Sequence, residues 1–354
     1  MPHGNSLSQI ECTSLLGART PASALFHHTR RCGRGRPRSQ LRDALLASIF
    51  LSAISISAQT SKRVTVAVLD FGDSQTGAKV AAAIRRDLRE GSSLVTIDHN
   101  LAAAAARGNG YQGSFNLTTQ EARDIGAAIG CDFFIIGDAQ TLARSPSNNA
   151  NYFESYASIF IVSARTGRLV LWQRPAERRD TADDAEKALL QTLTSDLLSR
   201  YRVAIFRGAE DEAAERTAAV ESPSATIEVM SDDDNGKGDT RAPRPYRRLK
   251  PPYPEAAAQA EVEAVVDVSV DIDARGEVGK IEIARWAGYG LDQSVIDTVK
   301  QMHFFPAMRE GVAIPMRVLL RYNFRRTTPE KLRERAGTSP APTVICPYRR
   351  APGL

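Results

Sequence analysis

The feature that most constrains the fold is a nearly strict alternation of apolar and polar residues over 262–272. Every even-numbered residue in this run is apolar, and the intervening positions include Glu263, Asp267, Ser269 and Asp271. Because successive side chains of a β-strand point to opposite faces, a period of two predicts a long, half-buried strand. The surrounding chain must therefore form a sheet with one face covered.

A hairpin and a helix are predicted to follow this strand. Gly276 can adopt a positive φ and turn the chain into a second strand over 279–285. Asp292 is predicted to cap the helix that follows, because its carboxylate can accept hydrogen bonds from the N–H groups of Ser294 and Val295. The apolar stripe of this helix consists of Leu291, Val295, Val299 and Met302.

A third strand is predicted over 314–324, where every second residue from Ile314 onward is apolar. Two hairpin strands, a helix and a returning strand form a ββαβ unit of about 75 residues. A three-stranded sheet covered by one helix leaves unpaired N–H and C=O groups on its outer strands. An extended peptide from a partner can pair with such an edge as an added strand.

Four motifs occur in this unit between about 251 and 325, namely YPEAA, VSVDIDARGEV, LDQSVIDTVKQMHFFPA and GVAIPMRVLLRYNF. In order and spacing they resemble the carboxy-terminal domain of the TonB family. The resemblance implies a periplasmic transport adaptor that binds the short box of an outer-membrane receptor as a strand added to its last strand. It also implies contacts from the segment just before the Tyr–Pro pair.

Carried onto this sequence, the resemblance implies partner contacts from the segment 250–254 and from the last strand. The residues implied are Lys250, Pro252, Tyr253, Pro254, Ile314, Arg317, Leu319, Arg321 and Asn323. For Tyr253 and Pro254 the alternative interpretation is that they hold the fold. The backbone of the last strand, with its outward side chains, is the better candidate for the site.

Two features of the family's energy transducers are missing. Those proteins engage an ExbB–ExbD-type motor through a membrane histidine, whereas the N-terminal apolar run 44–58 contains none. The long Pro/Lys/Glu-rich spacer of the family is also absent, and a predicted folded domain stands in its place. Binding of a receptor is therefore better supported than transduction of energy.

A first folded block is predicted over 62–207. Strand-like runs and amphipathic helices follow each other in the order βαβαβββα, which predicts an α/β domain with a mixed sheet. The run CDFFIIG suits a central strand covered on both faces, and Thr118 or Thr119 can cap the preceding helix. The motifs VAVLDF, LVTID, ARDIGAAIGCDFFIIGDA and VSARTGRLV resemble the CsgG-like and TolB-amino-terminal group of periplasmic domains. That group implies an envelope assembly protein.

The predicted fold class is thus α/β plus α+β, a mixed-sheet α/β domain over 62–207 followed by a small ββαβ domain over 251–326. Acidic, small and proline residues dominate 208–250, so we expect a disordered linker there and two blocks that fold independently. A disordered tail is expected over 327–354.

The leader, residues 1–61, determines the predicted compartment. Its apolar run 44–58 is too short to span a bilayer as a helix. It suits a signal peptide cleaved after Ala58, and an uncleaved inner-membrane anchor is the alternative. Both alternatives export the remaining chain to the periplasm.

Composition and motif spacing argue against several other function classes. Much of the net charge of +5 comes from the two ends of the chain, which argues against a nucleic-acid-binding face on a folded domain. The four cysteines show no CxxC spacing, and a buried free thiol is the simplest interpretation of Cys131, although a Cys131–Cys346 bridge is allowed by count. No GxSxG, HExxH or phosphate-loop pattern occurs. We therefore expect no enzyme activity, metal or cofactor.

Two functions remain. One is a TonB-like adaptor for a TonB-dependent outer-membrane receptor or a similar strand-donating protein. The other is an envelope assembly or scaffold protein of the CsgG/TolB-like type whose strand-binding unit serves a different partner. The state of the run 44–58 separates them, because an uncleaved anchor that associates with an ExbB–ExbD-type motor favours the adaptor and a cleaved, soluble protein favours the scaffold.

Overall fold

The structure, a computed structural model, describes residues 63–90, 94–145, 151–221, 227–229, 240–325 and 343–345. These residues all fall in one compact unit that starts at Ser61. The predicted leader, with its signal or anchor segment, lies outside the described residues. No helix within the described ranges is both long and apolar enough to cross a membrane.

The first block is built on the predicted mixed sheet, which has six strands. They are β1 (Val64–Val68), β2 (Leu94–Thr96), β3 (Phe133–Arg144), β4 (Tyr152–Ser163), β5 (Leu169–Gln173) and β6 (Ala176–Arg179). Their spatial order is β2-β1-β3-β4-β5, and β6 pairs with the first residues of β4. Strand β1 pairs in parallel with β2 and β3, and the other pairs are antiparallel.

Helices cover both faces of this sheet. They are α1 (Gln75–Glu90), α2 (His99–Gly108), α3 (Thr119–Ile129), α4 (Ala182–Thr192) and, after a π-helical turn over Leu193–Leu197, α5 (Leu198–Glu221). In β3, Phe133 and Ile135 pack in the cluster that contains α1 and α5, whereas Phe134 and Ile136 pack in the cluster that contains α2 and α3. Strand β3 is therefore buried on both faces, and Thr118 caps α3 through a capping box.

The second block contains the ββαβ unit and several short strands. Its larger elements are α6 (Glu255–Gln259), β10 (Ala264–Ile272), β11 (Val278–Arg285), α7 (Leu291–Val299) and β15 (Met316–Phe324). Its short strands are β7 (Glu228–Val229), β8 (Thr240–Arg241), β9 (Arg244–Pro245), β12 (Phe304–Phe305), β13 (Ala307–Arg309), β14 (Val312–Ile314) and β16 (Thr343–Ile345). The main sheet has the order β11-β10-β15-β16, and β7 adds to β15 in parallel.

The prediction of a disordered linker over 208–250 is wrong for the parts that the structure describes. Helix α5 continues into this segment, and β8 and β9 pair its end with the second block. The physical reason is ion pairing that composition does not reveal. Glu212 accepts hydrogen bonds from Nε and Nη2 of Arg165 at 2.9 and 2.7 Å. Glu215 accepts one from Arg168 at 2.8 Å.

The two blocks share a hydrophobic core, which contradicts the expectation that they fold independently. Trp286 and Tyr289, in the loop between β11 and α7, lie with their ring centroids 5.9 and 5.8 Å from that of Phe160 in β4. The Tyr289 hydroxyl donates to Oγ of Ser158 at 3.1 Å. Trp286 Nε1 donates to the carbonyl oxygen of Gly167 at 3.0 Å. The aromatic residues of this loop therefore join the two sheets.

Asp292 does not cap α7 as predicted. Gly290, with a φ of 77°, takes the N-cap position, and Asp292 lies in the first turn. Its carboxylate accepts hydrogen bonds from the N–H groups of Ala287 and Gly288 at 2.9 and 2.8 Å, because the left-handed turn at Gly290 brings this loop beside the helix start. Burial raises the pKa of Asp292 to about 6.

Candidate partner-binding strand edge

Strand β15 presents alternate side chains to the two faces of its sheet. Its buried residues are Met316, Val318, Leu320, Tyr322 and Phe324. Its opposite face carries the predicted contacts Arg317, Leu319, Arg321 and Asn323. A continuous register joins β15 to β10 from Ile272–Met316 to Ala264–Phe324. The inward set therefore belongs to the core, and partner contacts are left to the outward face and the backbone.

The outward arginines are held by ion pairs with β10. Both Nε and Nη2 of Arg317 donate to the carboxylate of Asp271, the latter at 2.8 Å. Nε and Nη2 of Arg321 donate to Asp267 at 2.6 and 2.9 Å. These hydrogen bonds raise the pKa of both guanidinium groups. Such two-pronged pairs fix the geometry of neighbouring strands, so both arginines serve the sheet itself.

The side of β15 that faces away from β10 is partly occupied by other segments of the chain. Strand β7 pairs in parallel with Met316 and Arg317, and β16 pairs antiparallel with residues 319–321. Strand β16 lies in the tail predicted to be disordered, and that prediction is wrong for Thr343–Ile345. The physical reason is that the N–H and C=O groups of a sheet edge need hydrogen-bond partners. Composition does not reveal which segment of the chain supplies them.

The end of β15 forms the open part of this edge. Pairing with β16 stops at Arg321, whereas pairing with β10 continues to Phe324, and no other described strand pairs with the last three residues on this side. The ring centroid of Tyr253 lies 6.1 Å from that of Phe324. The structure therefore brings the segment 250–254 to this end of the last strand.

The middle of the segment 250–254 is tied to the second block by hydrogen bonds. Oγ of Ser294 in α7 donates to the carbonyl oxygen of Pro252 at 2.6 Å. The hydroxyl of Tyr253 donates to the carbonyl oxygen of Val262. Tyr253 therefore stabilises the fold through its hydroxyl and also lies beside the open end of β15.

The other predicted contacts have different positions. Lys250 is exposed, and Pro254 is the N-cap residue of α6. Ile314 is not part of the edge, which corrects the prediction of one strand over 314–324. It ends β14, which belongs to a separate sheet with β13 and β8. Pro315 separates the two strands because it has no N–H group to continue a ladder.

A cleft that the sequence did not predict lies where β5 and β11 approach each other. Its volume is about 530 Å³, and its lining includes Trp172, Ile281, Ile283, Trp286, Asp292 and Gln293. Arg168 at its rim pairs with Glu215 at 2.8 Å and with Glu282 at 3.4 Å. Lys280 pairs with Glu282 at 2.8 Å. No local motif signals this cleft, because it forms only where the two blocks meet.

The described histidines pair with single carboxylates and do not form a catalytic or metal-binding cluster. Within the described ranges, no group of three or more His, Cys, Asp and Glu residues could hold a metal ion. His99 lies 3.1 Å from Asp70, and His303 lies 3.2 Å from Glu277. Burial raises the pKa of the free Cys131 thiol to about 12, which keeps it protonated and unreactive.

Comparison with known proteins gives one family match. Residues 250–325 match the family described as Gram-negative bacterial TonB protein C-terminal. This range contains the segment 250–254 and the whole ββαβ unit. No curated protein matches the chain.

Three solved structures are similar to parts of the chain. The TonB CTD of Pseudomonas aeruginosa is 19% identical, with 29% of this chain and 98% of that chain covered and a TM-score of 0.23. The hypothetical protein CT253 from Chlamydia trachomatis is 13% identical, with 40% and 98% covered and a TM-score of 0.30. The LpoB C-terminal domain from Salmonella enterica is 12% identical, with 33% and 84% covered and a TM-score of 0.24.

Proposed function

We propose that this protein is a periplasmic adaptor that binds an extended segment of a TonB-dependent outer-membrane receptor by strand addition to β15. The observation that carries the proposal is the open end of that strand, which lies beside the ring of Tyr253. The family match over 250–325 supports the same region. The family match therefore supports the unit that contains β15, and the pairing pattern is the reason for choosing this edge of its sheet.

Backbone hydrogen bonds supply the affinity in this mode of binding. Each contributes about 1 kcal/mol net, so a peptide paired only with the three open residues binds weakly. Tight binding requires pairing along more of the nine residues of β15. The outward arginines contribute little, because their charges are already paired with Asp267 and Asp271. Specificity then depends on Leu319, Asn323 and the neighbouring Tyr253.

The proposal concerns binding and not energy transduction. The run 44–58 has no histidine of the kind through which TonB-type transducers engage an ExbB–ExbD-type motor. Export to the periplasm is part of the proposal. A reporter enzyme that folds only after export, fused behind Leu354, should be active, and activity confined to a cytoplasmic reporter would contradict this placement.

Titration of the full chain with synthetic receptor-box peptides tests the proposed function. Binding measured by calorimetry should be accompanied by shifts of the Asn323 and Phe324 amide signals in NMR spectra. The matched control is the same peptide with prolines at two central positions, which cannot form a strand ladder. Absence of binding even at millimolar peptide would contradict the proposal.

A second candidate function is favoured by the shared core. The contacts of Trp286 and Tyr289 with Phe160 join the ββαβ unit to the first block within one compact unit, which suits an envelope assembly or scaffold protein. In that case the strand donor is another envelope protein. Affinity capture from native envelopes with the full chain separates the two, because the first function predicts receptors in the captured set and the second predicts assembly proteins.

A further inference from the structure

We propose that strand β16 is an internal occupant of the partner-binding edge, so that the chain's own C-terminal segment competes with a partner strand for β15. This inference rests on the proposed function. Strand β16 pairs antiparallel with residues 319–321, in the middle of β15 and on the side away from β10. One side of a strand pairs with one neighbour at a time, so β16 and a partner strand over these residues exclude each other.

The sequence of the occupant suits a short extended segment. Thr343, Val344 and Ile345 are all β-branched, which favours strands, and Pro342 and Pro347 flank them closely. Proline has no N–H group for a ladder, so the sequence limits the length of this strand. A three-residue strand makes few hydrogen bonds, and the entropy cost of ordering it offsets much of their free energy. Such an occupant is displaceable.

The division of the β15 edge gives an entry point for a competitor. Strand β7 covers Met316 and Arg317, β16 covers residues 319–321, and Tyr322–Phe324 have no strand partner on this side among the described residues. A partner strand can pair first with these last three residues, beside Tyr253. It can then extend along β15 while β16 leaves one residue pair at a time.

The occupant also indicates the chemistry of the partner. Because β16 is an extended segment of β-branched residues, the geometry points to a partner segment of the same kind. Strand β7 pairs with this edge in parallel and β16 pairs antiparallel, so the edge accepts a strand of either direction. Charged residues at its centre would gain little, since the outward arginines of β15 are already paired with aspartates.

A tethered competitor weakens outside binding in a predictable way. Tethering a segment to its site gives it an effective concentration of about millimolar. If β16 occupies the edge in most molecules, the apparent dissociation constant of an outside peptide rises in inverse proportion to the open fraction. We expect removal of residues 326–354 to tighten peptide binding by about tenfold or more.

Four proteins and two peptides test this inference. The proteins are the full chain, the chain ended after Arg325, the full chain with Val344→Pro, and a control with Thr338→Pro, which adds a proline to the tail outside β16. The peptides are a receptor-box peptide and a tail peptide of residues 341–347 carrying Cys346→Ser to prevent oxidation. Calorimetry or fluorescence anisotropy gives the dissociation constants, and thermal melts report folding. The Val344→Pro variant retains the full chain length, so it provides a second test if the shortened chain does not fold.

The inference predicts that both peptides bind the shortened chain and the Val344→Pro variant about tenfold or more tighter than the full chain or the Thr338→Pro control. The two peptides should also compete with each other. Equal affinity of the tail peptide for all four proteins, or no affinity for any, would overturn the inference. A concentration-dependent dimer of the full chain that disappears on truncation would also overturn it, because β16 would then pair between copies.

The inference and the proposed function can fail separately. If the tail peptide binds the shortened chain and no receptor-box peptide does, β16 is an occupant and the receptor proposal is wrong. If receptor-box peptides bind the full and shortened chains equally, the receptor proposal stands and the competition is wrong.

Discussion

Arg321 shows how an outward side chain of a sheet can serve the fold. Arg321→Ala leaves the buried carboxylate of Asp267 with one ion-pair partner among the described residues, Nε of Arg285 at 3.4 Å. We expect the free energy of unfolding to fall by roughly 2 kcal/mol. Hydrogen bonds to charged groups contribute more to stability than neutral ones do, and the partial exposure of the guanidinium reduces this contribution. Urea denaturation measures the change. The control Asn323→Ala, exposed on the same face, should change it by less than about 0.5 kcal/mol; equal effects would contradict the ion-pair interpretation.

Asp292 gives the stability of the protein a pH dependence of unusual sign. Its pKa is raised from 3.8 to about 6 in the folded state, so the folded protein binds a proton that the unfolded chain has released. The contribution of this carboxyl group to stability therefore falls as the pH rises from about 4 to about 6, by up to about 3 kcal/mol. Above pH 6 it is constant.

Comparison of the parent chain with Asp292→Asn isolates this group from the other carboxylates. The difference in free energy of unfolding, parent minus variant, should decrease between pH 4 and pH 6 and then level off. A difference that does not change over this range would mean that Asp292 is not buried as described.

At the residue scale, the sequence predicted the directions of side chains and left their partners open. Alternation placed Arg317 and Arg321 on one face of their strand and Asp267 and Asp271 on one face of theirs. A usable signal was present, because both pairs have a four-residue spacing and antiparallel strands match such pairs in reverse order. The burial of Asp292 had no such signal, since it depends on a loop held by the other block.

Helix α5 shows at the scale of elements how acidic composition can mislead. Glu212 accepts hydrogen bonds from Ser163, Thr166 and both Nε and Nη2 of Arg165. Glu212→Ala should lower the free energy of unfolding by roughly 2–3 kcal/mol, because four donor groups on three residues lose their acceptor. Glu210→Ala on the exposed side of the same helix is the control, and chemical denaturation with a helix signal is the measurement.

If Glu212→Ala and Glu210→Ala lower the free energy of unfolding by the same small amount, the ion pairs of Glu212 do not hold residues 208–221 in place. Helix propensity alone then accounts for this part of α5. Limited proteolysis adds a second observable. The parent chain should resist cleavage within 208–221, and the Glu212→Ala variant should become sensitive there.

Long periodic elements were predictable from the sequence, and very short ones were not. The alternation over 262–272 predicted β10, and the apolar run after Cys131 predicted the doubly covered β3. Strands β12, β13, β14 and β16 have two or three residues each, which is too few to show a period. Their pairing is decided by the edges that they meet. This is why the tail strand on β15 was missed.

The shared core predicts that the molecule unfolds as one cooperative unit. Far-ultraviolet circular dichroism and tryptophan fluorescence should give coincident transitions in denaturant, as expected for a two-state protein. Trp286→Ala should lower the free energy of unfolding by about 3–5 kcal/mol, because the indole is buried between the blocks. The control is Tyr246→Ala, an exposed aromatic residue. Two separate transitions in the parent chain would contradict a common core.

At the scale of the whole molecule, the sequence predicted the fold class of both blocks correctly but did not predict that they share a hydrophobic core. Periodicity reports only which residues of an element face a core, and not which core they face. The loop residues Trp286 and Tyr289 carry no period, so their packing against Phe160 had no local signal.

The most direct measurement of the central claim, strand addition to β15, compares two N-methylated forms of one receptor-box peptide with the chain ended after Arg325. Each form carries N-methyl groups at every second residue, and the two differ only in phase. Successive N–H groups of a strand point to opposite sides, so an added strand uses one set of them and leaves the other set outside. Strand addition predicts that one phase loses binding while the other binds nearly as well as the unmodified peptide. Equal binding of the two phases would contradict strand addition.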